Sequence, residues 1–169
     1  MSVATVRFDE SNGAGETITN GVTNFNYGNV DTPSMTIDSS SVITAGNNSY
    51  TKFWKFEVTA MNGLNQIDSL ELYKSAGNYV TGEGIQCNLR TSSYGGAIAY
   101  ATPTTTTYTD QALATSDPAA ANWGIGGALS GTLTAAGKSD YMKSQLQTTG
   151  STPAGSLNQK TFTIKWNEQ

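Results

Sequence analysis

Alternation of apolar and polar residues in short segments is the feature that most constrains this chain. Between residues 51 and 60, Trp54, Phe56 and Val58 recur at every second position. A period of two predicts a half-buried β-strand with its apolar side facing a core. Residues 160–166 repeat the pattern near the C-terminus, with Phe162 among the inward positions. The residues between the inward positions of the first segment, including Phe53, are expected on the opposite side.

Other strand candidates share an enrichment in Thr, Val, Ile and Tyr, which suit a pleated surface. They lie at residues 2–8, 17–22, 34–37, 41–44, 67–73, 84–90, 97–101, 128–134 and 140–147. Turns containing Gly and Asn separate them at short intervals, as tight hairpins require. About ten short strands with frequent turns predict an all-β fold, an antiparallel β-sandwich of jelly-roll type.

Helical signals are weak and fall in the long connection from residue 103 to residue 127. One short helical turn is predicted at residues 109–114. A second is predicted at residues 117–122, where Asp117 is placed as the N-cap and Pro118 as the first helical residue. Because long connections in compact domains are usually functional, this one is expected to contact a partner.

The length of 169 residues indicates a single domain overall. Residues 31–169 are assigned to the β-sandwich, and residues 1–30 to an N-terminal arm or a first hairpin. Termini often become ordered only against a neighbour. If residues 1–30 are such an arm, deleting about the first 20 residues should leave a soluble, folded core.

Composition excludes several classes of function. The chain has no His and one Cys, so it holds no Ser-His-Asp or Cys-His machinery and no zinc site built on those residues. Cys87 is expected to be a small buried core residue. The net charge is −4 and the nine basic residues are scattered, so neither nucleic acid nor a membrane surface is an expected partner. The sequence shows neither a basic leader followed by an apolar stretch nor a long apolar run, so neither a cleaved signal nor a membrane span is expected.

Acidic residues were the remaining source of chemistry. Residues 9–16 offer hard oxygen ligands and glycines, but their spacing departs from the calcium-binding loop, and a solvated hairpin loop is favoured. A hydrolytic carboxylate pair remains open among Glu57, Asp68, Glu71 and Glu83, although nothing in their positions singles out two of them. The sequence therefore predicts no catalytic residue, no cofactor and no metal, in a protein that is not an enzyme.

Aromatic residues in or beside the polar loops are the candidate interface residues. They are Phe25, Tyr27, Tyr94, Tyr108 and Trp123. Aromatic side chains are enriched at protein interfaces, which favours a contact between subunits or with a partner. Flat rings on loops of a sandwich also suit stacking on sugars, so a carbohydrate-binding module stays open as an alternative.

Four stretches carry a resemblance to a known class of proteins: SLELYKSAG (69–77), NWGIG (122–126), SDYM (139–142) and KTFTIKWNE (160–168). With the low charge and the abundance of Thr, Ser, Asn and Gly, the chain resembles virion structural proteins of tailed bacteriophages. More narrowly, it resembles capsid decoration (cement) proteins. That resemblance implies β-sandwich or jelly-roll subunits, often trimeric, which bind at three-fold positions of the capsid and hold neighbouring capsomers together.

The expected function is therefore that of a non-enzymatic virion structural protein. It would be synthesised in the host cytoplasm, bind the outer capsid surface and staple neighbouring capsid subunits. Its expected partners are the major capsid protein and other copies of itself, with a trimer favoured. A tail, neck or fibre component is the alternative within the structural class, and the carbohydrate-binding module is the alternative from another class.

Overall fold

The structure, a computed structural model, describes residues 3–95, 111–154 and 158–169. Within these residues there are strands and no helices. The strands are β1 (Thr5–Asn12), β2 (Thr17–Asn20), β3 (Lys52–Ala60), β4 (Ile67–Ala76), β5 (Gly84–Thr91), β6 (Gln111–Ala112), β7 (Thr132–Leu133), β8 (Gly137–Lys138), β9 (Tyr141–Gln147) and β10 (Thr161–Glu168). Their pairings are antiparallel.

Two sheets pack against each other across one hydrophobic core. The larger sheet has the order β2-β1-β3-β9-β5-β6, with β8 also paired to β3, and the smaller has the order β10-β4-β7. Phe56 of β3 and Trp166 of β10 join the two, with ring centroids 5.0 Å apart. The predicted all-β antiparallel sandwich is confirmed, while jelly-roll connectivity stays a prediction.

Strand β3 follows the alternation predicted from its sequence, but one residue of its outer side, Phe53, is also fully buried. Its inward residues are fully buried, namely Trp54, Phe56 and Val58. Phe53 points to the other side of the sheet and is also fully buried. The rings of Tyr94 and Tyr141 cover it, at centroid distances of 4.7 and 6.0 Å. The outer side of the larger sheet thus carries a small aromatic layer of its own.

Two of the predicted strands, at residues 34–37 and 41–44, do not form. Residues 21–51 run between β2 and β3 without a strand. Ser34 has a φ of 47°, which breaks an extended backbone. Asp38 and Ser41 then close a turn, in which the Ser41 N–H donates to the Asp38 carbonyl (3.2 Å). The local hydrogen bonds of these side chains compete successfully with strand formation.

Most of the strand predicted at residues 128–134 is also absent, and only β7 forms there. Ile125 and Ala128 exchange backbone hydrogen bonds of 2.9 and 3.3 Å, and the Gly131 N–H donates to the Ala128 carbonyl (3.1 Å). These tight turns use the backbone groups that a longer strand would need. The strand predicted at residues 97–101 lies outside the described residues.

The predicted helical turns are wrong wherever the structure describes them. Asp117 accepts a hydrogen bond from the Ala119 N–H (3.0 Å), but Ala119 has a φ of 57° and the chain cannot continue as a helix. The first predicted turn began at residue 109, outside the described residues. Its described part contains β6, which pairs with β5. The sheet thus takes up backbone groups that the sequence assigned to a helix.

Residues 5–20 form a hairpin of β1 and β2. β1 also pairs with β3, from Thr5 opposite Ala60 to Ser11 opposite Phe53, so it lies inside the larger sheet. The described part of residues 1–30 thus contains a hairpin that is built into the larger sheet. The acidic residues expected in a loop at residues 9–16 accordingly begin inside a strand.

Candidate functional site: a buried anchor beneath an exposed turn

Trp123 was expected at an interface, and the structure corrects this. Its side chain is fully buried in the core, and its indole N–H donates to the backbone carbonyl of Asp140 (2.9 Å). The Trp123 N–H also donates to the Leu70 carbonyl of β4 (3.0 Å). The residue holds the connection before β7 against the smaller sheet, so it is not available to a partner or a sugar.

Phe25 and Tyr27 belong to the packing of the core more than to its surface. The ring of Phe25 lies 4.8 Å from Trp54 and 5.9 Å from Phe162, which places it between the two sheets. The Tyr27 hydroxyl is hydrogen-bonded to Ser144 Oγ (2.8 Å). Burial raises the pKa of Tyr27. Both half-buried rings fix the first part of residues 21–51, the β2–β3 connection, to the sandwich.

Tyr94 is half-buried over Phe53, and its hydroxyl donates to the Gly13 carbonyl (2.5 Å). Burial raises the pKa of Tyr94 to about 12. Tyr108 lies outside the described residues. With Trp123 buried and the ring of Tyr94 packed at a tilt against Phe53 and Tyr141, the described residues present no row of open rings for a sugar.

The acidic residues considered for catalysis are each engaged by donors within the chain. Glu71 binds Lys165 (2.9 Å), Asp68 accepts from Gln66 (2.7 Å), and Glu83 binds Lys160. Across residues 3–95, 111–154 and 158–169, no group of three or more Asp, Glu or Cys side chains is arranged to hold a metal ion. The same residues contain no helix long and apolar enough to cross a membrane.

An ion-pair network occupies the outer side of β1 and β3. Asp9 binds Lys138 (2.7 Å) and Arg7 (3.2 Å), while Glu57 binds Arg7 (2.5 Å) and lies 3.7 Å from Lys138. Burial acts to raise the pKa of Asp9, but hydrogen bonds led by that from Lys138 hold the pKa below its ordinary value. Arg7 and Lys138 keep contact with solvent, since about a third of each side chain is exposed.

A different cluster lies on the inner side of the same two strands. We call it the anchor cluster: Glu10, Asn12 and Lys52. Lys52 Nζ and Asn12 Nδ2 both donate to one oxygen, Glu10 Oε1, over 2.8 and 2.9 Å. The three residues are only 0–6 % exposed. Burying a charged group this deeply costs free energy unless the group is paired. The convergence of two nitrogen donors on Glu10 Oε1 therefore requires explanation.

The anchor cluster fastens the β2–β3 connection (residues 21–51) to the larger sheet. Lys52 donates a second hydrogen bond to the Thr32 carbonyl (2.7 Å), and Glu10 accepts one from the Ser34 N–H (3.2 Å). Asn12 also donates to Asp31 (2.7 Å). Each side chain of the cluster therefore holds one point of residues 31–34.

Immediately after this fastening, the connection forms what we call the exposed turn, residues 37–42. Ile37 and Val42 are the first and last residues of the turn, and they are 67 % and 61 % exposed. The Asp38 carboxylate accepts from the Ser40 hydroxyl (2.6 Å) and N–H (2.8 Å), and these hydrogen bonds lower the pKa of Asp38. Ser41 is buried, and its carbonyl accepts from the Asn29 N–H (2.9 Å). The turn thus has a fixed shape and two apolar side chains facing outward.

Sequence reasoning missed both features. Residues 34–37 and 41–44 were predicted to be strands, and Glu10 was predicted to lie in a solvated hairpin loop. Lys52 and Glu10 do lie on the inward-facing register of β1 and β3, and a charged residue at such a position was the available signal. Pairing of the two strands was needed to bring them together.

Comparison with protein-family models, with curated proteins and with solved structures finds no match to this chain.

Proposed function

We propose that this chain is a non-enzymatic virion structural protein that binds the outer surface of a capsid and joins neighbouring capsid subunits. The observation that carries the proposal is the exposed turn, a preformed projection held at its base by buried polar contacts. A surface that is already ordered loses little conformational entropy on binding, which favours adhesion over a small area.

The chemistry of the turn suits a protein partner. Ile37 and Val42 supply apolar area, and the hydroxyl groups of Ser39 and Ser40 surround them. Apolar residues within a polar rim are the usual composition of a protein interface. Asp38 is the only charged residue in the turn, so we expect binding to vary little with ionic strength.

The partner would be a major capsid protein, and repetition of the contact would supply the strength. A single turn buries little area, but many copies on one lattice act together through their high effective concentration. Self-association, with a trimer favoured, would let one particle of this protein contact several capsid subunits at once. A tail, neck or fibre component is the alternative, and it differs only in the lattice that the turn contacts.

The test is co-sedimentation with empty shells assembled from the major capsid protein encoded nearest to this gene. Wild-type protein should pellet with the shells, and Ile37→Ser with Val42→Ser should stay in the supernatant. Val3→Ser is the matched control, because Val3 is 61 % exposed but lies outside the turn. Wild-type protein that stays in the supernatant would refute capsid binding, and pelleting with tail tubes instead would support the alternative.

A further inference from the structure

Three side chains that can react with each other meet at a single atom in the anchor cluster. Glu10 Oε1 lies 2.8 Å from Lys52 Nζ, a potential nucleophile, and 2.9 Å from Asn12 Nδ2, a potential leaving group. A carboxyl group that touches both nitrogens is placed to carry a proton from one to the other. An ion pair alone does not need the amide of Asn12 at that position.

Strand register brings Lys52 and Asn12 within reach. Ser11 is opposite Phe53, and the next step of the antiparallel register places Asn12 opposite Lys52. Directly opposed side chains on one face of a sheet have Cβ atoms about 5 Å apart. Glu10 lies two residues before Asn12 on the same face of β1, so all three side chains project into one space.

The amide of Asn12 is not fully satisfied as a structural group. Its Nδ2 donates to Glu10 and Asp31, but its Oδ1 is buried and has no hydrogen-bond partner among the described residues. A buried polar atom without a partner costs free energy and is often retained where chemistry takes place. The fully buried Trp54 follows on the same face of β3 and helps to keep water away.

We propose that the anchor cluster is a self-processing site, at which Lys52 and Asn12 form an intramolecular isopeptide bond with Glu10 as the catalytic residue. The proposal concerns the covalent structure of the folded chain and does not depend on capsid binding. It requires no cofactor and no oxidant, since the reaction is an exchange of one amine for another at an amide carbon.

The reaction begins with transfer of a proton from Lys52 Nζ to Glu10, which leaves a neutral amine and a carboxylic acid. The amine attacks Cγ of Asn12, and Glu10 passes protons from Nζ to Nδ2 as the tetrahedral intermediate forms. The Cγ–Nδ2 bond then breaks as the Nζ–Cγ amide is completed. The nitrogen of Asn12 leaves as ammonium with the proton that Lys52 first gave up, and Glu10 returns to its carboxylate.

The Lys160–Glu83 pair provides a comparison within the same protein. Lys160 is bound to Glu83, and their side chains are 9 % and 1 % exposed. The second oxygen of Glu83 accepts from the backbone N–H of Val80 (2.9 Å), a group with no amine to release. This pair has the acid and the amine of the anchor cluster without its asparagine, and we expect it to remain an ion pair.

Peptide mass spectrometry of denatured wild-type protein tests the proposal directly. Trypsin should fail to cleave after Lys52 and should yield residues 8–55 as one peptide, about 17 Da lighter than its sequence because ammonia is lost. Further cleavage after Glu16 should leave the two pieces joined through Asn12 and Lys52. Cleavage after Lys52, with both peptides at their full mass, would overturn the proposal and leave a buried ion pair.

Variants then assign the role of Glu10. Glu10→Gln keeps the shape of the side chain but cannot accept a proton, so its peptides should show full mass and normal cleavage after Lys52. Glu83→Gln is the control and should retain the loss of about 17 Da between residues 8 and 55. A bond that forms as completely in Glu10→Gln as in wild type would refute catalysis by Glu10, and a bond at another lysine would refute the site.

Discussion

The two sides of the β1–β3 strand pair carry similar residues in opposite environments. On the outer side, Asp9 and Glu57 bind Arg7 and Lys138, whose side chains keep contact with solvent. On the inner side, Glu10 binds Lys52 with both side chains at 2 % exposure or less. The same two strands therefore hold an ion-pair network whose basic side chains reach solvent on one side, and a pair buried at both ends on the other.

The difference teaches where these charges matter. Water reaches Arg7 and Lys138 and partly screens the outer pairs, although Asp9 itself is only 3 % exposed, so each outer pair should contribute less to stability than the inner one. The inner pair has no such freedom, because removal of either partner leaves a buried charge without compensation. The inner side also holds residues 31–34 and thereby the base of the exposed turn, so its integrity sets the shape of the proposed contact surface.

The largest effect on stability should come from deleting residues 1–20. This deletion removes β1 and with it one acidic residue of the outer network and the acidic residue of the anchor cluster. β1 contributes Phe8, whose ring lies 5.5 Å from Phe25 and 5.9 Å from Phe56. Without this strand the core opens along β3, and we expect no cooperative unfolding transition in urea, followed by circular dichroism. A soluble truncated protein with a sharp transition would show instead that residues 1–20 are a dispensable arm.

Glu10→Ala should disrupt the anchor cluster and leave the outer ion-pair network intact. Without Glu10, Lys52 has no acid to pair with and none to catalyse the proposed bond to Asn12, so the free energy of unfolding should fall by about 3–5 kcal/mol or more, measured by urea denaturation. Glu57→Ala, the matched change on the outer side, should cost about 1 kcal/mol or less. Equal costs for the two variants would mean that burial does not distinguish the two networks.

A smaller effect is expected on the outer side, where the stability contributed by Asp9 should depend on pH. The pKa of Asp9 is lowered in the folded protein, so its contribution to stability is present above its unfolded value of about 3.9 and is lost as the pH falls through the folded value. Wild type should therefore lose more thermal stability than Asp9→Asn between pH 5 and the acid limit, as measured by calorimetry. Identical pH dependence in the two proteins would exclude Asp9 as a source of acid sensitivity.

The strands with strong alternation were predictable from sequence, and the irregular segments were not. β3 and β5 follow their apolar periods closely, because each has an inward face in the core. The segment from residue 34 to residue 44 contains strand-forming residues as well. There the Ser41 hydroxyl satisfies both the N–H and the carbonyl of Asp38, and the sequence pattern does not reveal how well such local hydrogen bonds compete with strand pairing.

The site was less predictable than the fold, since it depends on pairing between distant residues. Lys52 and Glu10 are far apart in the chain, and each alone suggests a solvated side chain. Trp123 was predicted at an interface because it lies in or beside a polar loop of the sequence, yet its side chain is fully buried in the core. The residues next to a position in the sequence do not reveal which distant residues pack against it in the folded protein.

The central claim is that residues 37–42 are the contact surface and that the anchor cluster holds them in place. Hydrogen–deuterium exchange of the protein, free and bound to capsid shells, tests this most directly. The account predicts that bound shells slow exchange at residues 37–42, while the strands of the smaller sheet, β10, β4 and β7, exchange as in the free protein. Slowed exchange confined to that sheet, with residues 37–42 unchanged, would contradict it.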